Sequence, residues 1–171
     1  MQQPGTLSQI RMITQKTGWT LTTDDQVLRT DDGGASWKNV SMVTASSPGE
    51  QAPVAGACFF SASQASVAIV QTTTANGMIA TVYTTTDAGR DWTSARIPRA
   101  TDWEKDDTQS LFVDFPDPSR GYVLVTSSPG LGMMSKALYT TADGGTTFTF
   151  VKDITGYSDE QDRFFGIEGY P

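Results

Sequence analysis

Short runs of β-branched, aromatic and other apolar residues alternate along the chain with polar stretches that contain Gly, Pro, Ser and Asp. Runs of this length suit β-strands, and no amphipathic helical period separates them. In chain order they read IRMI, GWTLT, QVLRT and WKNV, then ACFF, SVAIV, TVYTT and WTSARI, then FVDF, GYVLV, ALYTT and FTFV. The pattern predicts an all-β chain whose short strands are grouped in fours.

An eight-residue segment recurs between the third and fourth run of each group. It reads TDDGGASW at 30–37, TTDAGRDW at 85–92 and TADGGTTF at 141–148, so every copy fits Thr-x-Asp-x-Gly-x-x-aromatic. The shared residues Asp32, Asp87 and Asp143 lie 55 and 56 residues apart. Four fixed residue types that recur at nearly constant spacing indicate a structural repeat.

A four-stranded unit that repeats every ~40 to 50 residues is typical of a β-propeller blade. We expect blades at about 8–42, 55–98 and 110–153, with 154–171 leading into a fourth. Propellers have about four to eight blades, so three form an arc with open edges. The exposed edges of such an arc can pair with another chain. We therefore expect either the N-terminal part of a longer propeller or self-association of two copies into a ring of six.

The repeated segment has the chemistry of a tight turn. Its Asp can accept backbone N–H groups, and its Gly can adopt positive φ. Its aromatic residue can begin the next strand, and full burial of such a side chain stabilises the fold by roughly 1.5 to 3 kcal/mol. The residues predicted to build these turns are Thr30, Asp32, Gly34, Trp37, Thr85, Asp87, Gly89, Trp92, Thr141, Asp143, Gly145 and Phe148.

The three turns resemble the Asp-box, or BNR repeat, of sialidases, sortilin-type receptors, some glycanases and propellers similar to photosystem II assembly factors. The resemblance extends over the whole chain through its three copies. It implies a β-propeller in which each turn joins the third and fourth strands of a blade. It implies no single activity.

A calcium loop is the competing interpretation of Asp31, Asp32 and Gly33, because oxygen-rich loops bind that ion. The extra carboxylate of Asp31 does not recur, since the other copies carry Thr86 and Ala142 there. We therefore expect no metal and no cofactor at the turns.

Composition narrows the possible partners. Lys and Arg number 12 against 19 Asp and Glu, a net charge of -7, which argues against nucleic acid and anionic membrane surfaces. The chain has no His, which excludes Ser-His-Asp and Cys-His catalysis and His-ligated metals. No run reaches the roughly 18 apolar residues of a membrane helix, so we expect no membrane insertion.

Two features suggest an enzyme. The segment ARIPR contains Arg96 and resembles the first catalytic arginine segment of sialidases, but it follows the second turn and lies in a predicted fourth strand. We interpret Arg96 as an ordinary strand residue. Paired carboxylates, as glycosidases use, occur in TDWEKDDTQ and YSDEQDRFF, and such charge runs are more often solvated than catalytic.

The same two loops are the candidate binding surfaces, because aromatic rings stand beside their carboxylates. Such combinations suit glycans and peptides. The candidate residues are Asp102, Trp103, Glu104, Tyr157 and Asp159.

Counting 26 residues from Asp32 and from Asp87 reaches Cys58 and Val113, which we expect to be equivalent positions of successive blades. Cys58 is then a buried small hydrophobe. The first blade has Ile10 at this position. Met12, Phe60 and Phe115 follow Ile10, Cys58 and Val113 by two positions and are predicted to lie in the core.

The residues favour a non-catalytic propeller that presents its loops to a protein or a glycan. The resemblance implies an extracellular, cell-surface or periplasmic location. The alternative is a glycoside hydrolase of sialidase or glycanase type whose catalytic residues lie beyond Pro171.

Overall fold

The computed structural model describes residues 6–42, 54–73, 77–98, 108–130 and 133–155. These residues form strands and turns and contain no helix, so none among them could cross a membrane as one. The strands are β1 (Leu7–Met12), β2 (Gly18–Thr22), β3 (Val27–Thr30), β4 (Lys38–Asn39), β5 (Val54–Phe59), β6 (Ala65–Thr73), β7 (Gly77–Thr85), β8 (Thr93–Arg96), β9 (Thr108–Asp114), β10 (Gly121–Gly130), β11 (Met133–Thr141) and β12 (Thr149–Thr155).

The strands form three four-stranded sheets, each built from consecutive strands that pair antiparallel with their neighbours. The first sheet is β1–β4, the second β5–β8 and the third β9–β12. This arrangement confirms the prediction of an all-β chain whose strands are grouped in fours, and it is that of successive β-propeller blades.

A hydrophobic cluster joins the first sheet to the second. Trp19 of β2 stacks on Phe59 of β5, with ring centroids 5.8 Å apart and planes 6° from parallel. Both side chains are fully buried. The Trp19 ring nitrogen donates to the Ser61 carbonyl at 2.9 Å, so the indole keeps a hydrogen bond when it leaves water.

A second cluster joins the second sheet to the third. Ala68 and Val82 of the second sheet pack in it with Leu111, Phe115 and Val123 from the third sheet and the β9–β10 turn. Successive side chains of a strand point to opposite faces of the sheet. Ala57 and Phe59 of β5 therefore belong to the first cluster, on the other face of the second sheet. The second sheet is thus covered on both faces.

The second and third sheets approach closely at their first strands. Gly56 of β5 has no room for a side chain, since an added Cβ would lie 2.2 Å from the Leu111 carbonyl oxygen of β9. On the other side of β5, the Gln9 amide donates to the Ala57 carbonyl at 2.9 Å. A groove opens between the first and second sheets near β4 and β8.

Each end of the stack has an apolar face. We call Leu7, Ile10 and Met12 the leading face; their strand partners Thr22, Thr20 and Gly18 place them on the side of the first sheet away from the second. We call Phe112, Tyr122, Leu124 and Leu138 the trailing face, which register places on the far side of the third sheet. Ile10 is 54% exposed and Phe112 58% exposed.

The predicted core positions are only partly correct. Phe115 is buried and Phe60 is partly buried against the cluster, but Met12 is 42% exposed, so its prediction is wrong. Met12 pairs with Gly18 as Phe59 pairs with Ala65, so Met12 is equivalent to Phe59 and lies on the leading face.

Cys58 is buried, as predicted. Its pairing with Ser66 corresponds to the pairing of Asp114 with Tyr122. The equivalent of Cys58 in the third sheet is therefore Asp114, one position after the predicted Val113.

Candidate functional site

The repeated turn has the same hydrogen bonds in all three copies. The Thr hydroxyl of each copy donates to the Asp carboxylate at 2.8 Å, pairing Thr30 with Asp32, Thr85 with Asp87 and Thr141 with Asp143. The same hydroxyl oxygen accepts the N–H of Gly34, Gly89 or Gly145 at 2.9 to 3.0 Å. These buried threonines therefore fix both ends of the turn.

The turn aspartates use their oxygens inside the turn. Each accepts the backbone N–H four residues later, at 2.9 Å from Ser36, 3.0 Å from Asp91 and 2.9 Å from Thr147. Hydrogen bonds from Ser36 and Thr147, with those from the turn threonines, lower the pKa of Asp32 and of Asp143 to about 2. The Asp91 N–H and the Thr85 hydroxyl lower the pKa of Asp87 as well.

The carboxylates of the three turn aspartates accept hydrogen bonds from the backbone of their own turn. Within the described part of the chain, no three His, Cys, Asp or Glu side chains come together as a metal site would require. The extra carboxylate of Asp31 pairs with Arg29. The geometry of the turn is accordingly that of a structural element.

The turn also rests on the first hairpin of its own sheet. The residue before the shared Gly has positive φ in every copy, 78° at Gly33, 68° at Ala88 and 72° at Gly144, and its N–H donates at 2.8 Å to the carbonyl of Lys16, Ser63 or Ser119. The sequence motif did not reveal this contact. The Gly-Gly pair in the first and third copies is the signal that could have indicated it.

The three turn aromatics have different surroundings. Phe148 is buried, whereas Trp37 and Trp92 are partly exposed. The Trp92 ring nitrogen donates to the Val40 carbonyl at 2.9 Å, so this side chain bridges the second sheet to the first.

The groove between the first two sheets has a volume of about 800 Å³. On one side it is lined by Arg29, Lys38 and the chain that follows β4 as far as Met42, and on the other by the second copy of the repeated turn, including Arg90 and Trp92. Asp31 and Asp91 also line it, so three cationic side chains face two carboxylates. Trp92, Val40 and Met42 supply apolar surface.

Arg29 is held in place at the bottom of this groove. Its guanidinium lies 5.5 Å from the Trp19 ring centroid and its Nε donates to the Ala62 carbonyl at 3.3 Å. Lys38 and Arg90 are more exposed. Lys38 makes no ion pair with any described residue. Arg90 donates from Nε to its own turn, to the Asp87 carbonyl.

Two other titratable groups lie near apolar surface. Burial, together with the neighbouring Asp24 charge, raises the pKa of Asp25 to about 6. Asp25 borders a small cavity that Val27, Val67, Ile69 and Tyr83 line. Burial also raises the pKa of the Cys58 thiol, which keeps it protonated and unreactive at neutral pH.

The loop residues predicted to bind a partner cannot be placed. Asp102, Trp103, Glu104, Tyr157 and Asp159 lie outside the described residues. Arg96 ends β8 and is exposed.

No family model and no curated protein matches the chain. Among solved structures, the chain is similar to YCF48 bound to D1 peptide, with a TM-score of 0.52 and 17% identity over 86% of this chain and 40% of that one. It is also similar to the GH74 xyloglucanase from Xanthomonas campestris, with a TM-score of 0.53 and 15% identity over 86% of this chain and 21% of that one.

Both neighbours are β-propellers, and at this identity the likeness concerns the fold. The chain spans less than half the length of either neighbour.

Proposed function

We propose that this chain is a non-catalytic Asp-box propeller that binds an extended acidic segment of a partner protein in the groove between its first and second sheets. The observation that supports this most is the lining of that groove, where Arg29, Lys38 and Arg90 stand beside the partly exposed Trp92. A chain of net charge -7 here presents one excess positive charge next to apolar surface.

The chemistry of the groove suits a carboxylate followed by an apolar side chain. Arg29 is positioned by Trp19, by Ala62 and by its ion pair with Asp31 before any ligand arrives, so little side-chain entropy is lost on binding. Lys38 and Arg90 supply exposed cations that attract an acidic segment over a distance. Trp92 offers a wide ring at one wall, a residue type that frequently anchors a partner's side chain.

The repeated turns hold this groove open. Ala88, Gly89, Arg90 and Asp91 belong to the second copy of the turn, whose backbone is fixed by Thr85 and Asp87. Asp31 belongs to the first copy. Here the Asp-box serves as a rigid support for side chains that face the groove, and contributes no reacting group.

Protein binding is also consistent with the fold. YCF48, one of the structural neighbours, is described with a bound D1 peptide. The two chains share only their fold at 17% identity, so the residues that would select a peptide here are this chain's own.

Fluorescence anisotropy with labelled decapeptides tests the proposal. The peptides carry Glu and Asp around one Leu or Phe, and matched peptides carry Gln and Asn instead. We expect the acidic set to bind and its affinity to fall with added salt, because screening weakens exposed charge pairs. Lys38→Glu and Arg90→Glu should each weaken binding by about tenfold.

Lys16→Glu is the control, because it makes the same charge change on an exposed side chain outside the groove. Equal binding of acidic and amide peptides, or equal loss in all three variants, would refute the groove as the binding site.

A glycan-binding or hydrolytic role is the second candidate. The likeness to a xyloglucanase supports it at the level of the fold, and the aromatic and acidic segments at 101–109 and 157–165 have suitable residue types. Release of reducing sugar from xyloglucan, or cleavage of a fluorogenic sialoside, would favour this candidate. Either substrate has to be applied to the complete protein, because this candidate places the catalytic residues beyond Pro171.

An extracytoplasmic location belongs to the same proposal, and its support is the resemblance of the turns to Asp-box proteins. Fractionation of cells that express the complete gene tests it. Recovery of the protein in the cytoplasmic fraction alone would contradict it.

A further inference from the structure

Two charged residues flank the repeated Thr in the first copy of the turn and in neither of the other copies. Arg29 stands directly before that Thr, and Asp31 stands directly after it. The other copies carry uncharged residues at both positions, namely Thr84 and Thr86 in the second copy and Thr140 and Ala142 in the third. Departures from an otherwise consistent pattern are expected at functional sites. The charged pair therefore belongs to the first sheet and not to the repeat.

The two junctions between sheets differ at the position of Arg29. Thr84, the equivalent of Arg29 in the second sheet, contacts the third copy of the turn, because an added Cβ at Gly145 would lie 2.7 Å from the Thr84 hydroxyl oxygen. The second copy of the turn rests on another part of the first sheet, since an added Cβ at Gly89 would lie 2.8 Å from the Val40 Cβ. Arg29 is consequently left facing the groove.

Arg29 already has a carboxylate partner inside the groove. Its Nη1 donates to Oδ2 of Asp31. The Arg29 side chain is 17% exposed and is held by the Trp19 ring and the Ala62 carbonyl. The Asp31 side chain is 66% exposed, and its carboxylate makes no other hydrogen bond to a described residue. Of the two partners, Asp31 is the one that can turn into solvent.

The guanidinium of Arg29 offers an incoming carboxylate one approach for a paired contact. Its Nε donates to the Ala62 carbonyl, so a carboxylate that makes two parallel hydrogen bonds has to use Nη1 and Nη2. Asp31 already holds Nη1, with one oxygen on one nitrogen. A ligand carboxylate that takes both nitrogens therefore displaces Asp31 and replaces one charge-assisted hydrogen bond by two.

We propose that Asp31 occupies the place of the ligand carboxylate on Arg29, so that an acidic segment binds by exchanging its own carboxylate for that of Asp31. This inference rests on the proposed function of the groove and identifies the residue that sets its affinity. The native groove then gains only the difference between the two contacts, whereas a chain without the Asp31 charge gains the whole ion pair.

Fluorescence anisotropy with a labelled acidic decapeptide, Glu and Asp around one Leu, tests the exchange on Asp31→Asn. Asn keeps the shape and removes the charge, and the turn tolerates uncharged residues at this position in its other two copies. We expect the Kd for the acidic peptide to fall by about tenfold. The matched peptide with Gln and Asn should bind the variant as it binds the native chain, because an amide does not form an ion pair with Arg29.

Asp91→Asn is the matched control. Asp91 lines the same groove and its loss changes the net charge equally, but Asp91 makes no ion pair with a described residue. We expect it to lower the Kd of the acidic peptide by about twofold. Raising the salt from about 0.1 M to about 1 M should abolish this gain and leave most of the gain in Asp31→Asn, because contacts to a mostly buried group are screened less.

Each outcome separates the exchange from the proposed function. If the native chain binds the acidic peptide and Asp31→Asn gains no more than Asp91→Asn, the exchange is wrong and the groove remains a binding site. Equal gains for the acidic and the amide peptide would also overturn it, since Asp31 would then act through the shape of the groove. Binding by Asp31→Asn alone would support the exchange. Absence of binding by the native chain and by both variants, each folded by circular dichroism, would overturn both proposals.

Discussion

Ala88 adopts a backbone conformation that its two counterparts reach with glycine. Its φ is 68°, close to the 78° of Gly33 and the 72° of Gly144. The hydrogen bond from its N–H to the Ser63 carbonyl, at 2.8 Å, holds it there. An L-residue with a Cβ pays for this conformation with roughly 1 to 2 kcal/mol of strain.

We expect Ala88→Gly to stabilise the protein. The strain relieved is larger than the roughly 0.4 to 1 kcal/mol that glycine costs through the entropy of the unfolded chain, so the net gain is about 0.5 to 1 kcal/mol. Urea unfolding measures it. Gly144→Ala is the matched control and should shift stability in the opposite direction. A loss of stability in Ala88→Gly would mean that the second turn is not strained.

Asp25 combines two unfavourable features in the β2–β3 turn. It has positive φ, 58°, and a half-buried carboxyl group whose pKa is raised to about 6 from an ordinary value of 3.8. Because the folded state holds the proton more tightly than the unfolded chain, the stabilisation from this group is complete below pH ~3.9 and is lost as the pH rises through about 6.

We expect Asp25→Asn to remove this pH dependence. Asn tolerates positive φ and stays neutral, so the variant should be more stable than the native chain at pH 7, by about 1 kcal/mol once solvent screening of this partly exposed group is taken into account. Melting temperatures measured from pH 4 to pH 8 give the comparison. Asp24→Asn removes the neighbouring charge and should lessen the slope. A native profile flat between pH 4 and pH 7 would contradict the raised pKa.

At the residue scale, sequence repetition was informative where chemistry repeats. The Thr and Asp of each turn stood out because the same hydrogen bonds are needed three times. The hydrogen bond from Ala88 to Ser63 could not be predicted, because it depends on where another hairpin places the Ser63 carbonyl. The raised pKa of Asp25 could not be predicted either, because it depends on apolar side chains of the second sheet that lie beside it.

At the scale of elements, the strands were predictable because short β-branched and aromatic runs alternate with turn residues. Which residues are equivalent in successive sheets could not be predicted from the sequence. Cys58 follows Asp32 by 26 residues, whereas its equivalent Asp114 follows Asp87 by 27, so a fixed count of 26 reached Val113, one position short. The chain between sheets varies in length without changing the pairing within them, so counting across it is unreliable.

Gly56 determines how closely the second and third sheets approach. An added Cβ would lie 2.2 Å from the Leu111 carbonyl oxygen, and that atom belongs to a strand backbone that cannot move aside cheaply. The Cβ of an alanine at Gly18 would instead meet chiefly the Met12 side chain, whose sulfur lies 2.3 Å from the added atom. Met12 is flexible and partly exposed, so it can turn away.

We therefore expect Gly56→Ala to cost about 1 to 3 kcal/mol, the range for overpacking a well-filled core, and Gly18→Ala to cost clearly less. Both glycines lie in strands, so the change in strand propensity is the same. Chemical unfolding of the two variants compares them. Equal losses would mean that the sheets can separate without penalty.

For the whole molecule, the sequence indicated the number and kind of sheets but not the groove. Arg29 and Lys38 flank the first repeated turn and Arg90 lies within the second, and nothing in the motif shows that these three positions line one groove. The loops singled out from their aromatic and acidic residues lie outside the described residues, so their role stays a prediction.

The second sheet, with both faces covered, also bears on how the chain is made. Each sheet consists of consecutive strands, so it can form from the segment that has just left the ribosome. The first sheet has little apolar core of its own, and Trp19 has no ring to stack on until Phe59 has been synthesised. The first sheet can therefore bury its apolar side chains only after the second sheet has been translated. A pause before that point would leave an apolar face exposed to aggregation and to chaperone binding.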